Sequence, residues 1–286
     1  MSKPWPLRCA VIGAGQMGSG IAQLFAQAGC ELLLVDQSQA FAEKGKQGIG
    51  RQLERLVHKG KLTAELGKAA LARIHCEGTL ETVSKVDLVV EAVSEKLELK
   101  ADIVARLDAV LSPDAILASN TSSISITQLA AATQHPERVI GMHFMNPAPV
   151  MTLVELIRGL QTSDACYARV SEITKKLGKE MVTSQDRPGF IVNRLLVPLI
   201  NEACFALQEG LATAEDIDSA VRLGLNHPMG PLALADMVGL DTVLAIAEIL
   251  HRDLGEDKYR PAYILRQHVA AGRLGRKSGQ GFYVYS

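Results

Sequence analysis

Two residues suited to proton transfer stand twelve positions apart, His143 in the apolar run Val139–Phe144 and Glu155 among Leu153, Val154, Leu156 and Ile157. The proline-marked segment Met145-Asn146-Pro147-Ala148-Pro149 between them is a turn that can bring imidazole and carboxylate together. An imidazole suits general base work near neutral pH, and a carboxylate accepting its second N–H would fix the tautomer and stabilise the imidazolium. Taken alone, His143 reads as a core histidine hydrogen-bonded to backbone and Glu155 as a solvated strand residue. Their setting decides between these readings. Two polar segments flank the pair. Ser122, in Ser119-Asn120-Thr121-Ser122-Ser123, and Asn193, in Phe190-Ile191-Val192-Asn193-Arg194, can donate to substrate oxygens. Alternatively, the first segment caps a helix from Ser125 and Asn193 ties two domains together.

The setting comes from the start of the chain. The apolar Cys9-Ala10-Val11-Ile12 breaks into Gly13-Ala14-Gly15-Gln16-Met17-Gly18, and Asp36 follows a second apolar run, Leu32–Val35. The three glycines serve different ends. Gly13 turns the chain out of the strand, Gly15 lets a pyrophosphate approach the backbone, and Gly18 lets the helix pack on the sheet. The helix from Gln16 offers unpaired N–H groups and its positive dipole end to phosphates. Asp36 would accept from ribose hydroxyls. It would also repel a 2′-phosphate, with no Arg among Gln37, Ser38 and Gln39 to neutralise one, so NAD is expected and NADP disfavoured. An imidazole at the same sheet edge can take the hydroxyl proton as hydride leaves a secondary alcohol for the nicotinamide.

Strands expected at Arg73–Cys76, Val86–Glu91, Ala115–Ser119 and Val139–Phe144, with a helix over Glu95–Leu111, alternate as a parallel, doubly wound α/β sheet does. A strand at Thr152–Ile157, a helix over Asp164–Leu177 and a strand at Glu180–Thr183 extend it. A polar helix from Ser38 to about Lys59, followed by a short one over Thr63–Ala72, forms a helical insertion. The expectation is a Rossmann-like NAD-binding domain over residues 1–185 and an all-α domain over 186–286. Helices are expected in the latter at Phe190–Glu209, Ala214–Leu223, Gly230–Leu250 and Ala262–Ala270. Thr213 and Asp216 resemble a capping box, and Gly210 is placed to end the preceding helix. The helix over Gly230–Leu250 is apolar on several faces, which fits a fully buried helix and a homodimer-facing one equally.

Composition narrows the partners. The 286 residues carry 30 basic and 31 acidic side chains for a net charge of −1, so no global field draws the protein to nucleic acid or a membrane surface. Five scattered cysteines without CxxC spacing fit reduced thiols in the cytoplasm, with no disulfide and no metal site. With so short a leader before the first strand no signal peptide is expected, and with no apolar run of about 18 residues no membrane span is expected.

The segments GAGQMGSGIAQ, VVEAVSEKLELK, ASNTSSISIT, GMHFMNPAPVM, VELI, PGFIVNRLL, EDIDSAVRLGLNHPMGPLAL, VGLD and GRKSGQGFY run in order across nearly the whole chain. Together they resemble the L-3-hydroxyacyl-CoA dehydrogenase family, and within it the bacterial 3-hydroxybutyryl-CoA dehydrogenases. The resemblance implies NAD-dependent, reversible oxidation of an (S)-3-hydroxyacyl-CoA to the 3-ketoacyl-CoA by a homodimer that closes around its ligand. It implies His143 and Glu155 as the catalytic pair and Ser122 and Asn193 as substrate contacts. It further implies Glu95, Lys100, Asn146 and Lys277 as NAD contacts and Lys59 as a CoA contact. The basic cluster Arg51, Arg55, His58, Lys59 and Lys61 independently offers a place for CoA phosphates, or is a solvated helix face. Two departures stand out: Met145 replaces a phenylalanine common in the family, and Gln52 aligns where some members have a CoA-contacting serine. Gly275-Arg276-Lys277-Ser278 is no phosphate loop, because Arg276 interrupts the Gly-Lys step. A dehydrogenase of free hydroxy acids and a nucleotide-binding protein without chemistry are the rival readings.

Overall fold

The computed structural model describes residues 5–285; Met1–Pro4, where the expected leader begins, and Ser286 lie outside the described residues. The chain divides into two compact units after Arg187.

The first unit runs β1 (Arg8–Ile12), α1 (Gln16–Gln27), β2 (Glu31–Val35), α2 (Gln39–His58), α3 (Ala64–Ala72), β3 (Ile74–Glu77) and β4 (Leu88–Glu91). It continues through α4 (Leu97–Val110), β5 (Ile116–Ser119), α5 (Ile126–Ala130), β6 (Val139–Phe144), β7 (Leu153–Arg158), α6 (Asp164–Lys176) and β8 (Glu180–Gln185). The eight strands form one sheet in the order β3-β2-β1-β4-β5-β6-β7-β8. The order reverses between β1 and β4, the switch point at which ligands of such sheets bind. Strands β1 to β6 pair in parallel, and their apolar side chains are buried from both sides, as the continuous hydrophobic runs anticipate. Ile21, Leu24 and Phe25 of α1 pack onto this sheet.

One pairing departs from the parallel sheet expected. Strand β7 runs antiparallel to β6, because the connector 145–152 is too short for the crossover that a parallel pair needs. Strand β8 then returns parallel to β7 after α6. The insertion is built as expected: α2 buries Ala42, Gly45, Ile49 and Leu53 along one face and exposes Arg51, Arg55, His58 and Lys59 on the other.

The second unit holds α7 (Val192–Gln208), α8 (Ala214–Gly224), α9 (Pro231–Val238), α10 (Leu240–Leu254) and α11 (Tyr263–Ala270), packed around Val197, Ile200, Leu232, Val243 and Leu265. Thr213 caps α8 by accepting from the Asp216 N–H at 3.1 Å. The single helix expected over Gly230–Leu250 is two, because Gly239 adopts φ +104°, which no helix interior accommodates. Helix α7 starts two residues later than expected, since Phe190 holds φ +48°. Among the described residues no helix is long and apolar enough to cross a membrane.

Candidate active site

The glycine turn is shaped by backbone contacts that leave no room for side chains. A Cβ on Gly18 would lie 1.7 Å from the Gly13 carbonyl oxygen, and one on Gly13 would lie 2.7 Å from that of Ala92. Gly15 differs, with open space where its Cβ would stand and no side chain capping α1 behind it. An uncapped helix N-terminus behind an open backbone is a cradle that fits a pyrophosphate. Gln16 is exposed and Met17 half-buried against the core. Asp36, expected to meet a ribose, has a structural part as well. Its Oδ2 accepts from the Ala14 N–H at 2.7 Å and its Oδ1 from the Gln37 N–H at 2.7 Å, so the end of β2 steadies the turn after β1.

His143 and Glu155 are direct cross-strand partners in the antiparallel β6–β7 pair, which places both side chains on one face of the sheet. Nδ1 of His143 lies 2.7 Å from Oε2 of Glu155. The carboxylate is wholly buried and the histidine 7% exposed. An ionised carboxylate accepts only, so opposite an ionised Glu155 the proton of a neutral imidazole sits on Nδ1 and the lone pair on Nε2.

Beside them, the loop after β5 is gathered by Glu95. Oε1 of Glu95 accepts from Thr121 Oγ1 at 2.6 Å and from the N–H and hydroxyl of both Ser122 and Ser123 at 2.8 to 3.1 Å. Burial raises the Glu95 carboxyl pKa, but the Lys100 ammonium and these donors outweigh it, leaving the group below the usual glutamate range. Lys100 is 1% exposed and its amine reaches Glu91 Oε1 at 2.8 Å, the Val93 carbonyl at 3.2 Å and Glu95 Oε2 at 3.3 Å. Three acceptors match its three protons, so Lys100 is buried between two carboxylates rather than held out to a ligand.

The glycine turn and strand β6 are tied together. Gln16 Nε2 donates to Asn146 Oδ1 at 3.1 Å, joining the start of α1 to the connector that follows His143. Asn120 Oδ1 accepts from the Phe144 N–H at 2.9 Å, fixing the end of β6 to the loop after β5. The buried Lys179 holds the same connector from below, donating to the Ala148 and Met151 carbonyls at 2.8 and 2.7 Å; burial without a carboxylate lowers its pKa. Sequence reasoning missed Glu91, Asn120 and Lys179. Glu91 had a legible signal, an acid closing the apolar run Leu88-Val89-Val90, while the others depend on pairings between distant segments.

The other expected site residues are placed within their own elements. Asn193 sits half-buried in the first turn of α7, and the Lys277 amine contacts both carboxylate oxygens of Asp241 at 2.6 and 2.7 Å. Lys59 is exposed at the end of α2, beside Arg55 and His58. Burial pushes the thiol of Cys76 up to about 11 and those of Cys166 and Cys204 up to about 12, which leaves them protonated and poorly nucleophilic. Among the described residues no group of three or more His, Cys, Asp or Glu side chains could hold a metal ion.

Residues 8–187 match the family model described as "3-hydroxyacyl-CoA dehydrogenase, NAD binding domain", and residues 189–285 match "3-hydroxyacyl-CoA dehydrogenase, C-terminal domain". The 3-hydroxybutyryl-CoA dehydrogenase of Bradyrhizobium diazoefficiens is 52% identical over 275 residues, covering 96% of this chain and 94% of that protein. The mitochondrial hydroxyacyl-coenzyme A dehydrogenase of Homo sapiens is 42% identical over 282 residues, covering 96% and 90%. The crystal structure of (S)-3-hydroxybutyryl-CoA dehydrogenase from Ralstonia eutropha superposes with a TM-score of 0.95 at 52% identity, covering 98% of this chain and 99% of that one. A Rossmann-like sheet with a glycine cradle, a buried His-Glu pair at its edge and a helical second unit, matched end to end by these models and relatives, places the chain in the 3-hydroxyacyl-CoA dehydrogenase family of oxidoreductases.

Proposed function

We propose that the protein catalyses the reversible, NAD-linked oxidation of a short-chain (S)-3-hydroxyacyl-CoA, 3-hydroxybutyryl-CoA foremost, to the 3-ketoacyl-CoA. The observation that carries this reading is the 2.7 Å contact between His143 Nδ1 and a fully buried Glu155, on a strand tied through Asn146 to the glycine turn. The residues at that turn fit a dinucleotide: Gly15 and the start of α1 would hold its pyrophosphate and Asp36 its ribose, and Asp36 favours NAD over NADP. When bound, the nicotinamide accepts hydride from the hydroxyl-bearing carbon of the substrate.

The protein's own part is proton transfer and orientation. His143 takes the hydroxyl proton at Nε2, and Glu155 stabilises the resulting imidazolium and prevents ring rotation. In the reductive direction the same nitrogen returns the proton to the forming alkoxide. We assign substrate contacts to Ser122 and Asn193, dinucleotide contacts to Glu95, Asn146 and Lys277, and a CoA contact to Lys59 with its basic neighbours. Lys100, expected as a dinucleotide contact, would instead act from behind Glu95. The exposed Leu195, Leu223, Leu225 and Met237 of the helical unit support a homodimer formed there. Buried reduced cysteines support a cytoplasmic setting.

The test is a panel of NADH-oxidation assays with acetoacetyl-CoA, longer 3-ketoacyl-CoAs and free acetoacetate. Turnover of acetoacetyl-CoA with little on the free acid is the expected result. Equal turnover of the free acid, or tight NADH binding with no oxidation by any thioester, would overturn the reading.

A further inference from the structure

Glu91, the last residue of β4, has none of the roles assigned above, yet its carboxylate is entirely buried. Its Oε1 accepts from the Val93 N–H at 2.7 Å and from Lys100 Nζ at 2.8 Å, and its Oε2 accepts from Ser119 Oγ at 2.6 Å. Ser119 is its register partner on β5, and the Ser119 hydroxyl oxygen accepts in turn from the Thr121 N–H at 3.2 Å. On the other side Lys100 reaches Glu95, whose Oε1 gathers Thr121, Ser122 and Ser123. Two chains of bonds therefore lead from Glu91 to one loop. One runs Glu91–Lys100–Glu95–Ser122 and the other Glu91–Ser119–Thr121.

A buried carboxylate is costly even when paired, and another valine like Val89 or Val90 would fill the end of β4 without that desolvation penalty. What the carboxylate adds is direction. Lys100 is shared between Glu91 and Glu95, so each carboxylate has oxygen capacity left for hydroxyl and amide donors. Without the Glu91 charge the ammonium would have Glu95 as its sole anionic partner and would draw that carboxylate away from the serine donors.

We infer that Glu91 is a positioning residue for the reaction, acting through Lys100 and Glu95 on one side and Ser119 on the other to set where the loop 119–123 presents Ser122. The inference rests on the assignment of Ser122 as a substrate contact. Glu91 is wholly buried and acts only through these neighbours.

A double-mutant cycle on acetoacetyl-CoA reduction tests it. Glu91→Gln keeps the shape and removes the charge, and should lower kcat/KM roughly 10-fold, the scale of one charge-assisted hydrogen bond. Ser122→Ala should lower it by roughly 10- to 100-fold. Because both act on the same contact, Glu91→Gln should cost no more than a further ~2-fold in the Ser122→Ala background. A merely structural role would multiply the two losses, and that outcome overturns the inference, as does wild-type kcat/KM in Glu91→Gln. Silence of Ser122→Ala overturns it as well. If Glu91→Gln does not fold, Ser119→Ala removes one of the same bonds and enters the same cycle with the same criterion. Failure of the functional reading shows separately, as absent acetoacetyl-CoA turnover by the wild-type protein or full turnover by His143→Gln.

Discussion

Glu155 faces His143 across the antiparallel β6–β7 pair, Oε2 to Nδ1 at 2.7 Å, and this cross-strand register brings together the two residues proposed above as the proton-transfer pair. His143→Gln should abolish measurable turnover of acetoacetyl-CoA while NADH binding, followed by fluorescence, stays within about twofold of wild type. Glu155→Gln should lower kcat by roughly 10²- to 10⁴-fold, the usual contribution of a positioned acid–base group, because an amide neither selects the tautomer nor stabilises the imidazolium. Near-wild-type kcat in Glu155→Gln would show that the imidazole does not depend on its partner.

The glycine turn separates folding from binding. Gly18→Ala places a methyl 1.7 Å from a carbonyl oxygen, so α1 must shift, and a loss of about 1–3 kcal/mol or more in urea unfolding is expected. Gly15→Ala meets open space. It should unfold as the wild type does and weaken NADH binding by roughly 10-fold or more, since only a bound pyrophosphate would meet the methyl. Equal unfolding midpoints for the two variants would contradict this division.

Asp36 both steadies the turn through the Ala14 N–H and, in the proposed reading, recognises the ribose. Asp36→Asn should therefore lose about 1 kcal/mol of stability and narrow the preference for NADH over NADPH by roughly 10-fold, read from dissociation constants of both nucleotides. An unchanged ratio would remove Asp36 from cofactor selection.

Glu95 supplies a dependence on pH. Its carboxyl is held below the usual glutamate range by Lys100 and its hydrogen-bond donors, so it contributes stability above the unfolded-state pKa, near 4.3, and loses it as pH falls through the lower folded value. The melting temperatures of wild type and Glu95→Gln should differ at pH 7 and converge as pH falls through the depressed folded-state value. A difference that persists undiminished in acid would assign the effect to shape rather than charge.

The proposed homodimer is open to direct measurement. Light scattering should give twice the chain mass, and Leu223→Glu, at a residue 76% exposed in the single chain, should shift the protein toward monomer. A wild-type monomer would show that these side chains are not an interface.

Local chemistry made the two-unit plan, an α/β sheet followed by helices, legible from residue types alone. Continuous apolar runs fit strands buried on both faces, Gly13, Gly15 and Gly18 fit one turn, and Ser125 and Thr213 announce helix starts by satisfying orphan N–H groups. His143 and Glu155 were readable as a candidate pair for the same reason, since a short proline-marked segment joins two apolar strands. What residue types could not supply was decided by pairing across distance. The antiparallel β7, the break at Gly239 and the burial of Lys100 between Glu91 and Glu95 depend on register, connector length and dielectric surroundings. Asn120 and Lys179 likewise acquire meaning only from the backbone groups that the fold brings to them. A side chain's identity sets which bonds it can make, and the tertiary structure alone decides which partners are close enough, and dry enough, for those bonds to matter.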